Sequence, residues 1–227
     1  MKKFMALLLV AGMTLSLTAC GGSTDTAKTD QADGKDTFTV GFDQDFPPFG
    51  YVGDDGEFTG FDIEMATECA ARMGKKIVLQ PIDWDAKDME LEAGTIDCIW
   101  NGFTMNGRED QYTWTDPYMD NSQGVVVKKD SGINTLADLA GKVVEVQKES
   151  AAETALNDEE HADLMASFAQ LLSVGEYNTA FMDLESGAVD AVAIDIGVAQ
   201  FQIEGKEDQY QILDETISSE QYAVGFF

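Results

Sequence analysis

Hydrophobic and polar positions along this chain keep two rhythms and switch between them. Phe38-Thr39-Val40-Gly41-Phe42 alternates with a period of two, the pattern of a strand. After a turn at Asp54-Asp55-Gly56 the period lengthens: Phe61, Met65, Cys69 and Arg72/Met73 recur at i+4 and i+7/i+8. That spacing predicts a helix with these residues on its apolar stripe, Cys69 buried as a free thiol, and Gly74 as the stop. Ile77–Leu79 reads as a strand, Ala86–Glu92 as a helix closed by Gly94, and Ile96–Trp100 as a third strand. This strand–helix–strand–helix–strand order predicts a parallel α/β sheet. Tyr112–Tyr118 reads as extended and leads into a polar bend at Asp120-Asn121-Ser122. Val125-Val126-Val127 then opens a second unit of the same kind, with a short helix at Leu136–Leu139 and a strand at Val143–Gln147. A helix starts at Ala151, with Ser150 as its cap and Glu153 completing a capping box. Leu171–Val174 is expected to be a strand, Tyr177–Ser186 a helix closed by Gly187, and Ala191–Ile194 a strand that delivers Asp195 at its carboxyl end.

The first 36 residues follow neither rhythm. Lys2 and Lys3 precede an apolar run, Phe4–Leu17, that is short for a bilayer span. The run ends in Leu17-Thr18-Ala19-Cys20-Gly21. This ending resembles a bacterial lipobox, which implies that residues 1–19 are an export signal of lipoprotein type and that Cys20 takes a palmitate-bearing lipid. The alternative is an ordinary secretory signal with an incidental cysteine. Residues 20–36 are almost devoid of apolar side chains and read as a flexible tether.

Composition narrows the chemistry. The chain has 227 residues and a net charge of −28, which argues against nucleic acid as a partner. In so acidic a chain an anion site depends on a fixed local cation. Arg108 is one of only two arginines, and it follows Asn101-Gly102-Phe103-Thr104 at the carboxyl end of a predicted strand. It either grips a carboxylate or phosphate in two-point fashion or pairs at the surface with Glu109 or Asp110. Ligands of parallel sheets sit beyond the strands' carboxyl ends. The loops there are Asp43–Tyr51, Trp84-Asp85 and Asn101–Arg108, so Phe46, Phe49, Tyr51 and Arg108 converge on one edge. Aromatics on a loop stiffened by Pro47-Pro48 suit a ligand wall, although at least one of them should plug the sheet edge. Ser150 begins a helix after a strand, a position that caps the helix and also suits an anion. Most carboxylates here are solvated; Asp195 stands apart because an apolar strand carries it to the ligand edge. His161 is the only histidine and lies in a charged stretch, so no metal site is expected, and no cofactor motif occurs. Three cysteines make no disulfide framework.

Taken in order, these pieces resemble the family-3 extracellular solute-binding proteins of polar amino-acid ABC transporters. The matching stretches are Val40-Gly41-Phe42-Asp43 with Phe46-Pro47-Pro48-Phe49, Gly60-Phe61-Asp62-Ile63, Trp84-Asp85, Gly94–Ile99, Asn101–Thr104 with Arg108, and Thr115-Asp116-Pro117-Tyr118. The second half adds Leu136–Lys142, Val144–Gln147 with Ser150–Glu153, and Val189–Asp195. The resemblance implies an α/β, two-lobed, periplasmic-binding-protein-like fold of type II with two hinge strands. Lobe 1 would span 37–119, lobe 2 would span 120–215, and 216–227 would return to lobe 1. It implies that Arg108 clamps a ligand α-carboxylate with help from Thr104, the backbone of Asn101, Gly102 and Phe103, and Ser150. Asp195 would take the α-ammonium, Phe46 and Trp84 would sandwich the side chain, and Asp43 would stand near its far end. The implied partners are an amino acid and the permease and ATPase of an importer, for a protein anchored by lipid outside the cell membrane or in the periplasm. The complete protein would be a monomer and not an enzyme.

Two departures bear on these expectations. Thr104 and Arg108 lie one residue closer than in the common family pattern. The sequence also stops at Tyr222–Phe227, where the family continues into helices that cover lobe 1, so either the sequence is a fragment or lobe 1 has an uncovered apolar face. The competing functions are a secreted lyase on the same fold, resembling cyclohexadienyl dehydratase, and a non-transport ligand sensor.

Overall fold

The structure is a computed structural model and describes residues 36–227. The predicted export signal, Cys20 and all but the last residue of the predicted tether lie outside the described residues.

Chain order begins with β1 (Thr37–Phe42), whose alternation buries Phe38, Val40 and Phe42. β2 (Asp45–Phe46), β3 (Gly50–Val52) and β4 (Phe58–Thr59) form a small antiparallel sheet around the proline loop. α1 (Phe61–Arg72) follows. Its buried residues are Asp62, Ile63, Ala66 and Ala70, whereas Phe61 and Met73 are exposed and Met65 and Cys69 half-buried. The stripe expected from the large side chains is thus turned by about one residue. Small Ala66 and Ala70 let the helix approach the sheet closely, against Phe38, Val40 and Trp100.

β5 (Lys76–Pro81), α2 (Lys87–Glu92), β6 (Cys98–Ile99) and β7 (Thr113–Trp114) complete the first half. The predicted strand Ile96–Trp100 is shorter than expected, because only Cys98 and Ile99 keep ladder geometry. β5 and β6 flank β1 in parallel.

β8 (Met119–Lys128) runs unbroken for ten residues. The bend expected at Asp120-Asn121-Ser122 does not form. These polar residues sit in an antiparallel ladder with a strand about a hundred residues later, which satisfies their backbone groups. β9 (Val143–Gln147), α3 (Ala151–Leu156), α4 (Ala162–Ser167), β10 (Gln170–Val174), α5 (Tyr177–Ser186) and β11 (Ala191–Asp195) come next. α6 (Ile196–Ile203) leaves β11 directly, and β12 (Tyr210–Ile212), β13 (Ser218–Tyr222) and β14 (Gly225–Phe226) close the chain. Neither α6 nor β12 was expected from the sequence.

Two larger sheets result. One has the order β5-β1-β6-β14-β7, with β14 antiparallel to both β6 and β7. The other has the order β10-β9-β11-β8-β12, in which β10, β9 and β11 are parallel. β8 and β13 pair with each other from Met119↔Tyr222 to Gln123↔Ser218 and lead between the two sheets. The carboxyl ends of β1, β6, β9 and β11 face a common region.

Candidate functional site

That region holds a narrow cleft. Phe46, Trp84, Asn101, Gly102, Thr104 and Arg108 line it from the first sheet's side, and Ser150 and Asp195 from the second's. Each was expected at a ligand edge. Gln147 and Ala151 line it as well and were not expected. Gln147 was open to detection, since it ends a parallel strand at the same edge as Asp195.

Two expected residues stand back. Phe103 is fully buried and supports the wall from behind: its ring lies 5.5 Å from Trp84's, edge to face, and 5.4 Å from the Arg108 guanidinium carbon. Asp43 lines an adjoining acidic cavity, and Gln147 Nε2 donates to its Oδ2 at 2.6 Å.

Arg108 is half-buried. Its Nη1 donates to the Thr104 carbonyl at 3.2 Å and its Nη2 to the Glu149 carbonyl at 3.3 Å. Among the described residues no carboxylate forms an ion pair with it, neither Glu109 nor Asp110. The Glu149 carbonyl also accepts from Trp84 Nε1 at 3.3 Å. Glu149 has φ 60°, the left-handed region that costs a non-glycine residue of order 1–3 kcal/mol, and its carbonyl meets two lining residues from across the cavity. Lys148–Asp85 at 2.7 Å and Asn178 Nδ2–Asp45 at 2.6 Å join the two sides further out.

Asn101 is buried, and Gly102 takes φ 58°. A Cβ on Gly102 would stand 3.0 Å from the Phe46 ring and 3.1 Å from the Tyr222 ring, so the close approach requires glycine. The Gly102 N–H donates to Asp62 Oδ2 at 2.5 Å and is engaged within the protein. Ser150 Oγ accepts from the Glu153 N–H at 3.1 Å, as a cap should. The Glu153 carboxylate returns not to Ser150 but to the Glu149 N–H at 2.7 Å, so the expected capping box is displaced by one residue. Asp195 ends β11 with Oδ1 accepting from Asn121 Nδ2 at 2.9 Å, from Gln123 Nε2 at 2.7 Å and from the Tyr222 hydroxyl.

The family described as bacterial extracellular solute-binding proteins, family 3, matches residues 38–180. The chain belongs to this family. It is 30% identical over 223 residues to the L-cystine-binding protein TcyJ of Escherichia coli, covering 97% of this chain and 80% of that one. It is 36% identical over 148 residues to the arginine-binding extracellular protein ArtP of Bacillus subtilis, covering 65% of this chain and 56% of that one. A solved structure of an ABC uptake transporter substrate-binding protein from Streptococcus pneumoniae with bound histidine superposes with TM-score 0.79 at 34% identity, covering 84% of this chain and 79% of that one. These relatives are binding proteins.

In this family-3 protein three buried carboxyls flank the cavity and hold protons more tightly than usual. Burial raises Asp43 to about 6, against the opposing bonds from the Asp45 N–H and Gln147. Burial raises Asp62 to about 7, against bonds from Tyr118 and Gly102. Burial and then the Glu220 charge push Asp195 well above the usual range. In the unfolded chain all three titrate near pH 4. The native state therefore binds more protons than the unfolded one above that pH, and stability falls as pH rises. Asp85 and Asp138 are shifted the other way, so their contribution lies below this window. Urea unfolding should give a higher midpoint at pH 5.5 than at pH 8, with Asp62→Asn flattening the slope. A midpoint that climbs from pH 5.5 to 8 would contradict these carboxyl environments.

Proposed function

We propose that this protein is the extracytoplasmic amino-acid-binding component of an ABC importer and carries out no chemistry on its ligand. The observation that carries this reading is the pair of opposite charges on one small cavity. Arg108 is a guanidinium with no ion-paired carboxylate among the described residues, and Asp195 is a carboxyl that accepts from the neutral side chains of Asn121, Gln123 and Tyr222 and from no cation. A zwitterion supplies the missing partner for each. In this reading Arg108 grips the α-carboxylate, with Thr104 and Ser150 beside it, and Asp195 takes the α-ammonium. Phe46 and Trp84 flank the side chain, and Asp43 acts on its far end through Gln147. A micromolar ligand needs about 8 kcal/mol, within reach of a few charge-assisted bonds and aromatic burial. The relatives named for cystine and arginine, and the relative solved with histidine, support the amino-acid class. The permease and ATPase of the importer are the partners of this reading.

Arg108→Ala should weaken amino-acid binding by about 2–5 kcal/mol with the fold intact. Arg108→Lys should also bind poorly, because an ammonium lacks the planar fork. Near-normal calorimetric affinity in either variant removes Arg108 from the site.

The anchor is proposed from the sequence around Cys20. Among the described residues no helix is long and apolar enough to cross a membrane. Cys20→Ala should move the protein from the membrane fraction to the medium or periplasm. Unchanged membrane retention and processing would refute lipidation at Cys20.

A further inference from the structure

Behind Asp195 lies a second buried carboxylate, Glu220 on β13, one strand away and outside the cavity's lining. Asn121 Nδ2 donates to Asp195 Oδ1 at 2.9 Å and to Glu220 Oε1 at 2.6 Å. Gln123 Nε2 donates to the same two oxygens, each at 2.7 Å. A primary amide has two N–H groups, so both side chains spend all their donors on this pair. Gln123 is fully buried, and facing its nitrogen to the carboxyls leaves its own Oε1 without a partner. An amide bears that cost only where the acceptors opposite demand donors.

The groups facing the pair come from several elements. β8 supplies Asn121 and Gln123, β13 supplies Tyr222, α5 supplies Tyr177, and the loop after β6 supplies Arg108. Asn121, Gln123 and Tyr222 are neutral donors to the pair, Tyr177 is neutral and bonds to neither carboxyl, and Arg108 bonds to carbonyls rather than to either carboxylate. Two carboxyls that share the same amide donors, out of water and without a bonded cation, repel each other unless a proton or a cation comes between them.

We propose that Asp195 and Glu220 act as one proton-sharing unit, that a primary ammonium group on the ligand binds it by displacing the shared proton, and that Glu220 is thereby a determinant of ligand affinity. This rests on the amino-acid-binding reading above. The balance is simple: the free pair carries one proton and one negative charge. The bound pair carries two negative charges against the ammonium, and one proton leaves to solvent. Burial and the neighbouring Glu220 charge, which raise Asp195, act in the same direction. Affinity therefore rises with pH, by up to tenfold per unit, until the free pair has lost its proton.

The test is calorimetric titration at pH 6.5 with L-arginine, L-histidine and L-cystine, each in buffers of different ionisation enthalpy. For whichever binds, the expected result is release of between about half and one proton per ligand, since a buffered proton reports the displaced one. Glu220→Gln should cut that release sharply and flatten the pH dependence, whereas Asp43→Asn should leave the Glu220-dependent part in place. Binding with no buffer-dependent heat in the unaltered protein overturns the proposal and leaves the amino-acid reading standing. Release that is unchanged in Glu220→Gln overturns it equally. Absence of binding heat with these and the remaining standard amino acids overturns the amino-acid reading, and the proton coupling with it.

Discussion

The antiparallel ladder between β8 and β13 is the constraint on which the site depends. It leads the chain from one sheet to the other and back, so it sets where the two lining surfaces meet. It also carries chemistry: alternate side chains of these strands, Asn121, Gln123, Glu220 and Tyr222, converge on Asp195. A strand presents every second residue to one face. A one-residue slip between β8 and β13 would turn that set away from Asp195 and leave a buried carboxyl without its donors.

Charge distribution makes the second constraint. With 42 acidic residues against 14 basic ones, an exposed cation would find carboxylates in any direction. Arg108 avoids them by lying over the Phe103 ring and bonding to two backbone carbonyls. One of those carbonyls belongs to Glu149, whose left-handed backbone aims it across the cavity. Carbonyl bonds hold the guanidinium in place without neutralising it, which leaves its charge for an anion. Local backbone strain at Glu149 and an uncompensated charge at Arg108 thus occur together, as is common where structure serves binding.

Much of this was legible in the sequence wherever it depended on local pattern. Period-two alternation marked β1, glycines marked the ends of α1, α2 and α5, and the edge rule for parallel strands gathered Trp84, Arg108, Ser150 and Asp195 in advance. Features set by distant partners were not legible. Asp120-Asn121-Ser122 has the composition of a turn, and only β13 makes it a strand. The large side chains of α1 point to one face, whereas close packing on the sheet selects the face that carries the small Ala66 and Ala70. Nothing local sets Glu220 apart from the other acids of the chain; burial and the amides of Asn121 and Gln123 distinguish it only once the chain is folded.

The central claim is that a zwitterion lies across this cavity with its two ends in fixed places. A crystal structure grown with the standard amino acid that most raises the melting temperature tests it most directly. The account predicts the ligand carboxylate within hydrogen-bonding distance of the Arg108 guanidinium and its ammonium on Asp195. A ligand bound in the opposite sense, or held away from both residues, would contradict it.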